Sequence, residues 1–500
     1  MAEIIETHRL ISIEEAAKTY GPDLQQIYNG LDCCVTLEVW NSLQAYYNEP
    51  PITYNFERAL QAPALEMMLR GFRIDLVERE RSVRELREKQ TQYQAILDKL
   101  AIAVWDKPLN PRSPKQLLEF FYKHLNIPEI WSSKKGVKSL SMDRETLEKL
   151  DLYLYARPFV ACILSIRELA KKLDVLEAKI DPDGRMRTSI NVGATETGRF
   201  SASKSTTGSG TNFFNITSDC RRIFVADPGY KLCAIDLEQA ESREVGRLCG
   251  ELFNEWAYLD ACEAGDLHTA VARLIWPELA WTGDGKKDRQ IAEEPFYRHY
   301  SYRDIAKRGG HGTNYLGSPF QMARHLKVPT SLVNSFQERY FDAFPGIQKW
   351  HRWTAEQIQS AKPITTVFGR TRHFFGRPND DQTVKEAVAY NPQSSTADRL
   401  NIGLYRIWHD MSPRIEILLQ LYDAIYFQYR EDDDEEEIVA EALRLVDVPI
   451  KLANGRMFSV PGEAKVGWNW TPIGPNNPDG LAKFKGKDTR QRVALLDRIF

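Results

Sequence analysis

The segment EILLQLYDAIYFQYR (Glu416–Arg430) decides how this chain is read. Leu418, Leu419, Leu421, Ile425 and Phe427 give it the character of buried β structure, yet Asp423 stands in its middle. A carboxylate taken out of water costs several kcal/mol unless it is paired or holds a metal. A second apolar segment, KLCAID, ends on Asp236 in the same way. Taken singly, each aspartate reads as a turn former bonding its own backbone. Brought together on one β platform from nearly two hundred positions apart, they would form a divalent-metal site. Mg²⁺ takes one or two carboxylates and completes its shell with substrate phosphates.

Composition excludes several classes. With 43% hydrophobic and 27% charged residues, the 500-residue chain is ordinary globular protein, long enough for one large unit or several subdomains. No stretch approaches the roughly 20 apolar residues of a membrane span, and MAEIIETHRL lacks the basic-then-apolar order of a signal peptide. Seven cysteines without a CxxC pair argue for reduced thiols, hence a cytoplasmic location, and against a zinc site. Net charge is −3, but its distribution is uneven: the acid is concentrated in Glu431–Glu437, while KKDR, YRDIAKR and FGRTRHFFGR place cations in the central third. The acidic run itself reads as a solvated loop or helix start rather than a metal cluster.

Residues 55–180 read as mostly α around a GFRID break, with LVERERSVRELREKQTQYQAILDKL as one long amphipathic helix and Ser113-Pro114 at a helix start. From Ile180 the chain is turn-rich, then YKLCAID is a strand and EQAESREVGRLCG a helix. Residues 300–360 return to helix, and 413–430 to β. This alternation predicts an α+β fold in which a β platform is interrupted by a helical insertion.

Within the insertion, YRDIAKRGGHGTNYLG repeats Arg303, Lys307, His311 and Tyr315 every four residues, one stripe along a helix. Two cations followed by an imidazole and a phenol suit a ligand with phosphates at one end and a flat ring at the other. Gly309, Gly310 and Gly312 cost such a helix about 1 kcal/mol each, which implies a close backbone approach or motion.

In this order, the segments resemble family-A DNA polymerases. CAIDLEQAESR, RDIAKRGGHGTNYLG and QLYDAIYF resemble motifs A, B and C of that family. TETGRFSAS…NFFNI, FGRTRHFF, YNPQSSTAD and GWNW fall where it has counterparts. The resemblance implies a right-hand fold with an antiparallel β palm, helical fingers and a helical thumb. It divides the chain into a remnant of a 3′–5′ exonuclease-like domain (1–54), thumb and entry to the palm (55–180), palm (181–245), fingers (246–392), and a second palm part with a C-terminal tail (393–500). It implies template-directed DNA synthesis from dNTPs on primer-template DNA, with two Mg²⁺ ions, or Mn²⁺ as substitute, on Asp236, Asp423 and the main-chain carbonyl of Leu237. Arg303, Lys307 and His268 would meet the triphosphate, with Lys307 near the leaving group. His311 and Tyr315 would line the insertion site, and Glu241 would act as the steric gate against a ribose 2′-hydroxyl. Arg199, Gln393, Asn212, Asn215, Arg370 and Arg372 are implied as DNA contacts.

Departures remain. His311 stands where the family usually has Phe or Tyr, and Tyr422-Asp423-Ala424 replaces the usual His-Asp-Glu, removing one carboxylate beside the metals. Tyr28 and Asp32 of YNGLDCCVTLEVW resemble the last proofreading motif, but only 27 residues precede Tyr28. The expectation is a chain that lacks proofreading, with the exonuclease a separate polypeptide or truncated away, and with a replication accessory protein as a further partner. Compact size and divergent motifs point to a phage enzyme working in the host cytoplasm. The alternative is a catalytically weak, polymerase-like DNA-binding subunit of a replication complex.

Overall fold

The computed structural model describes residues 18–19, 24–44, 52–134, 137–205 and 208–486. The chain forms two compact units, divided between Ala59 and Leu60. In the first, α1 (Leu24–Gln44) carries Tyr28 and Asp32 one turn apart, and Thr36 donates back to the Asp32 carbonyl at 2.7 Å. Residues 1–17, 20–23 and 45–51 of the expected nuclease segment, and the last fourteen residues of the C-terminal tail, lie outside the described residues.

The second unit is α+β, as the sequence predicts. Among the described residues its sheet has nine strands: β1 (Phe72–Ile74), β2 (Arg185–Met186), β3 (Phe224–Val225), β4 (Tyr230–Leu237), β7 (Ile415–Leu421), β8 (Ala424–Arg430), β9 (Gly462–Gly467), β10 (Asn469–Pro472) and β11 (Gly480–Lys483). A separate hairpin supplies β5 (Ile364–Thr365) and β6 (Thr371–Arg372). The sheet order is β7–β8–β4–β9–β11–β10–β3–β1–β2, antiparallel throughout except between β10 and β11. The GFRID break is β1: Asp75 leaves it and caps α2 (Leu76–Trp105) by accepting from the Glu78 N–H.

The central register fixes the two faces of the sheet. Ile235 on β4 lies opposite Ile425 and Ala464, and Asp236 lies opposite Ala424 and Glu463. Directly opposed residues share a face. The Ile235 face lies under α10 (Glu435–Val446); a Cβ on Gly462 would sit 3.0 Å from both Ile235 Cγ2 and Leu443 Cδ2. On the other face Ala234, Ala424 and Tyr426 join a core with Phe224 and Trp470, and Asp236 stands at its margin.

Two helical regions flank the sheet. Leu97, Phe120, Phe121, Leu147 and Ile163 form one core, where α2 lies along α3 (Arg157–Leu176). The second comprises α4 (Ala240–Phe253), α5 (Leu267–Ile275), α6 (Tyr302–Asn314), α7 (Thr330–Ala343) and α8 (Pro345–Gln359), packed around Trp276, Phe336, Tyr340 and Trp350. A capping box between Ser301 and Asp304 opens α6. Its glycines answer a close approach: a Cβ on Gly309 would lie 2.7 Å from the Phe336 ring, and one on Gly312 would lie 2.8 Å from Met322 Cε. Among the described residues no helix is long and apolar enough to cross a membrane.

The long helix α9 (Asp381–Met411) crosses α4 through a buried charge network. Arg399 reaches Glu244 at 3.1 Å with neither side chain exposed, and Glu244 also accepts from Arg247 at 2.7 Å. Removing one member leaves an uncompensated charge in the interior. Arg399→Leu is therefore expected to lower unfolding free energy by about 3–5 kcal/mol, read by urea denaturation. A loss within about 0.5 kcal/mol of wild type would show the network to be dispensable.

Candidate active site

The two-residue turn Tyr422–Asp423 joins β7 to β8, since Leu421 pairs with Ala424. Tyr422 has φ 53°, a left-handed conformation that a bulky aromatic rarely adopts and that costs about 1–3 kcal/mol. Its hydroxyl donates to the Phe214 carbonyl at 2.7 Å, and the two rings lie 6.1 Å apart. The Leu237 N–H donates to the Asp423 carbonyl at 3.0 Å, which fastens the turn to the end of β4 and brings Asp423 beside Asp236. Gln239 is also left-handed (φ 54°) and sends the chain from β4 into α4, whose first turn carries Glu241.

Glu241 collects two segments distant in sequence. It accepts hydrogen bonds from the Tyr315 hydroxyl and from Arg199. Arg199 Nη2 lies 3.7 Å from Asp423 Oδ1, and Arg199 Nε is buried without a hydrogen-bond partner among the described residues. Burial, then the Glu241 charge, pushes the Tyr315 phenol well up, so it remains a donor.

The two aspartates keep 49% (Asp236) and 35% (Asp423) of their side chains exposed. Their nearest cations, Lys465 at 3.8 Å and Arg199 at 3.7 Å, stand beyond hydrogen-bond distance. Burial raises both carboxyls, Asp423 to about 6; Arg199 pulls it down, while Glu241 and Asp236 push it up. Among the described residues no three His, Cys, Asp or Glu side chains are grouped for a metal. The pair fits a divalent cation that completes its shell from main-chain carbonyl, water and phosphate oxygens.

Sequence reading missed Glu463 and Lys465. Lys465 stands 3.6 Å from Glu463, and Glu463 is held by Lys483 at 2.6 Å. The alternation in GEAKVG was visible, but only the strand register shows that Glu463 faces Asp236.

The α6 stripe contains Arg303, Lys307 and His311, with the last two exposed. Arg303 is tied to Asp266 by two hydrogen bonds of 2.7 and 3.0 Å. Burial would raise the Asp266 carboxyl, but the bonds from Arg303 and Thr269 outweigh it and hold it at about 2. His268, on the same turn of α5, is lowered to about 4 by burial and then by the Arg303 charge, so its imidazole is neutral at pH 7. Tyr315 departs from the expected stripe. The helix ends at Asn314, Tyr315 caps it with φ −104°, and its ring meets His311 edge-on at 5.0 Å while the hydroxyl turns to Glu241.

Three of the residues expected as DNA contacts also have partners on the protein. Arg370 is buried against Asp398, with bonds of 2.8–3.1 Å. It packs under Gly198, where a Cβ would lie 2.6 Å from Arg370 Cζ, and Asn401 donates to the Gly198 carbonyl at 3.0 Å. Arg372 pairs with Glu196 and Glu386 and covers the Phe374 ring at 4.5 Å. Asn212 accepts from the Phe214 N–H and donates to the Ala202 carbonyl. Through these contacts the three side chains hold the loops around Arg199. Asn215 is exposed, and Gln393 is half-buried on α9.

A family profile described as DNA polymerase family A matches residues 80–471. The thermostable DNA polymerase I of Thermus filiformis is 28% identical over 429 residues, covering 82% of this chain and 47% of the relative. DNA polymerase I of Chloroflexus aurantiacus is 27% identical over 473 residues, covering 90% and 46%. The chain thus spans about half the length of the curated relatives it matches. A solved structure described as the POL domain of Pol1 from M. smegmatis in complex with DNA primer-template and dNTP has the same fold, with TM-score 0.67 and 24% identity over 83% of this chain and 70% of that one.

The carbonyl that ends α6 is held by His351, which is buried on α8 and donates from Nε2 to Asn314 at 2.8 Å. Burial lowers its imidazole from 6.5 to about 4, against the opposing effect of that bond. A depressed folded value means the unfolded chain takes up the proton first. The stability due to neutral His351 is full above about pH 6.5 and drains as pH falls toward 4. Wild type is expected to lose about 2 kcal/mol between pH 7 and pH 5 that His351→Gln retains, measured by urea denaturation at each pH.

Proposed function

The chain belongs to DNA polymerase family A, and on that premise we propose that it adds deoxynucleotides to a primer 3′ end under direction of a template. The observation that carries this reading is the placement of Asp236 at the end of β4 beside Asp423 in the β7–β8 turn, linked through the Leu237–Asp423 bond and flanked by the Arg199–Glu241–Tyr315 contacts. Two Mg²⁺ ions, or Mn²⁺, held by Asp236, Asp423 and the Leu237 carbonyl would neutralise the reacting phosphate and acidify the primer hydroxyl.

The chain's own residues supply the remainder. Arg303 and Lys307 neutralise the triphosphate, and Lys307 stands on the leaving-group side. His268, neutral at working pH, offers an N–H to a phosphate oxygen without adding charge. Glu241, clamped by Tyr315 and Arg199, is held still enough to exclude a 2′-hydroxyl. The exposed part of the Arg199 guanidinium, and Gln393, contact the minor groove of the primer-template. The departures at Tyr422 and Ala424 fit a divergent, phage-type replicase. They also support the second reading, a DNA-binding subunit of weak catalytic power.

Primer extension with Mg²⁺ separates the two. Wild type is expected to extend, with Asp236→Ala and Asp423→Ala slower by about 10³-fold or more. Equal rates in all three would sink the metal assignment, and wild type that binds DNA without extending it would favour the second reading. In a thermal-shift assay Mn²⁺ is expected to raise the melting temperature of wild type but not of Asp236→Asn or Asp423→Asn.

A further inference from the structure

The β5–β6 hairpin spends Arg370 and Arg372 on the protein, yet it runs directly into an exposed aromatic tip, His373–Arg377. The tip alternates. Phe374 turns inward, edge-on to Tyr390 at 5.9 Å with the Arg372 guanidinium over it. His373 and Phe375 turn outward with rings 6.3 Å apart and inclined by 21°. Phe375 is 95% exposed.

A single exposed apolar residue is ordinary, although it forgoes about 1.5–3 kcal/mol of burial. This one is held in place from both sides. Gly376, the next residue, packs so closely on α9 that a Cβ would lie 2.2 Å from Thr383 Oγ1, and Thr383 is in turn capped by Asp380. On the other side, Arg372 and the inward Phe374 anchor the strand. The backbone that carries the phenyl and imidazole rings is therefore anchored on both sides, and it presents them near-parallel (21°) to solvent with the exposed cation Arg377 next in the chain. The hairpin is also tied to the Arg199 loop, by Arg370 under Gly198 and by Arg372 on Glu196.

We propose that His373 and Phe375 form a stacking platform for unpaired DNA bases, which on a primer-template means the single-stranded template extension. A paired base hides its faces against its neighbours, whereas an unpaired base offers a flat face to an aromatic ring and its phosphates to a nearby cation. This rests on the polymerase reading for the identity of the strand, but the platform is defined by its own geometry.

The test is fluorescence anisotropy of the full chain with two recessed primer-templates, one with a template extension of about ten nucleotides and one with a single nucleotide. Phe375→Ala is expected to weaken binding of the long-extension duplex about tenfold, the effect of losing one stacked base. It leaves the short-extension duplex and the melting temperature unchanged, because the ring supports nothing in the fold. Phe375→Trp restores affinity, and His373→Ala weakens binding of the long extension only. Unchanged affinity of Phe375→Ala for the long extension, or an equal loss on both duplexes, overturns the proposal. If wild type fails to extend primers but Phe375→Ala still discriminates the two duplexes, the polymerase reading fails and the platform stands. If wild type extends and Phe375→Ala binds both duplexes as wild type does, the platform alone falls.

Discussion

The pairing register of β4 against β8 is the constraint from which the site follows. Because side chains alternate along a strand, a slip of one residue would turn Asp236 under α10 and bring Ile235 to the open face. What forbids the slip is burial: Cys233 and Ile235 alternate inward on β4, and Ile425 and Phe427 do so on β8. The opposite face is apolar too, through Leu232, Ala234, Ala424 and Tyr426, and only at its end do Asp236 and the turn residue Asp423 reach solvent. The Leu237–Asp423 bond extends the register one step beyond the strands, into the turn itself.

The helix α4 turns that register into a three-dimensional site. Glu241 and Glu244 stand three residues apart at its start. The first binds Arg199 and Tyr315, and the second binds Arg399 and Arg247. One end of the helix therefore draws in the Arg199 loop and the end of α6, while the next turn locks onto α9. The buried Glu244–Arg399 pair is costly to desolvate, and its use is geometric: it allows α9 to cross α4 in one position, which also sets Asp398 and Asn401 beneath Gly198.

Elements with strong local signals were legible in the sequence. The apolar hairpin with its aspartate, the KLCAID strand, the helix starts at Asp75 and Ser113, and the glycines of α6 all formed as their patterns predict. The ordered motifs led to the right family, and the alternation of helix and strand led to the right fold class. What the sequence did not show depends on tertiary partners. Arg370, Arg372 and Asn212, which the resemblance implies as DNA contacts, are also bonded to Asp398, Glu196 and the Ala202 carbonyl, partners that only the fold brings near. The four-residue spacing that included Tyr315 assumed a helix one residue longer than the one formed.

The register also explains how the change at Ala424 is accommodated. Ala424 and Glu463 occupy the two cross-strand positions beside Asp236, so the side chain absent on β8 has a carboxylate counterpart on β9. That counterpart does not restore the charge. Glu463 is bound by Lys483 and approached by Lys465, and the second lysine is also the cation nearest Asp236. Two carboxylates and two ammoniums on this side of the site cancel, whereas Asp423 on the other side faces one guanidinium shared with Glu241. The negative potential available to a divalent cation is therefore displaced toward Asp423, the residue whose turn is built on a left-handed tyrosine. The strained turn and the charge imbalance converge on the same carboxylate.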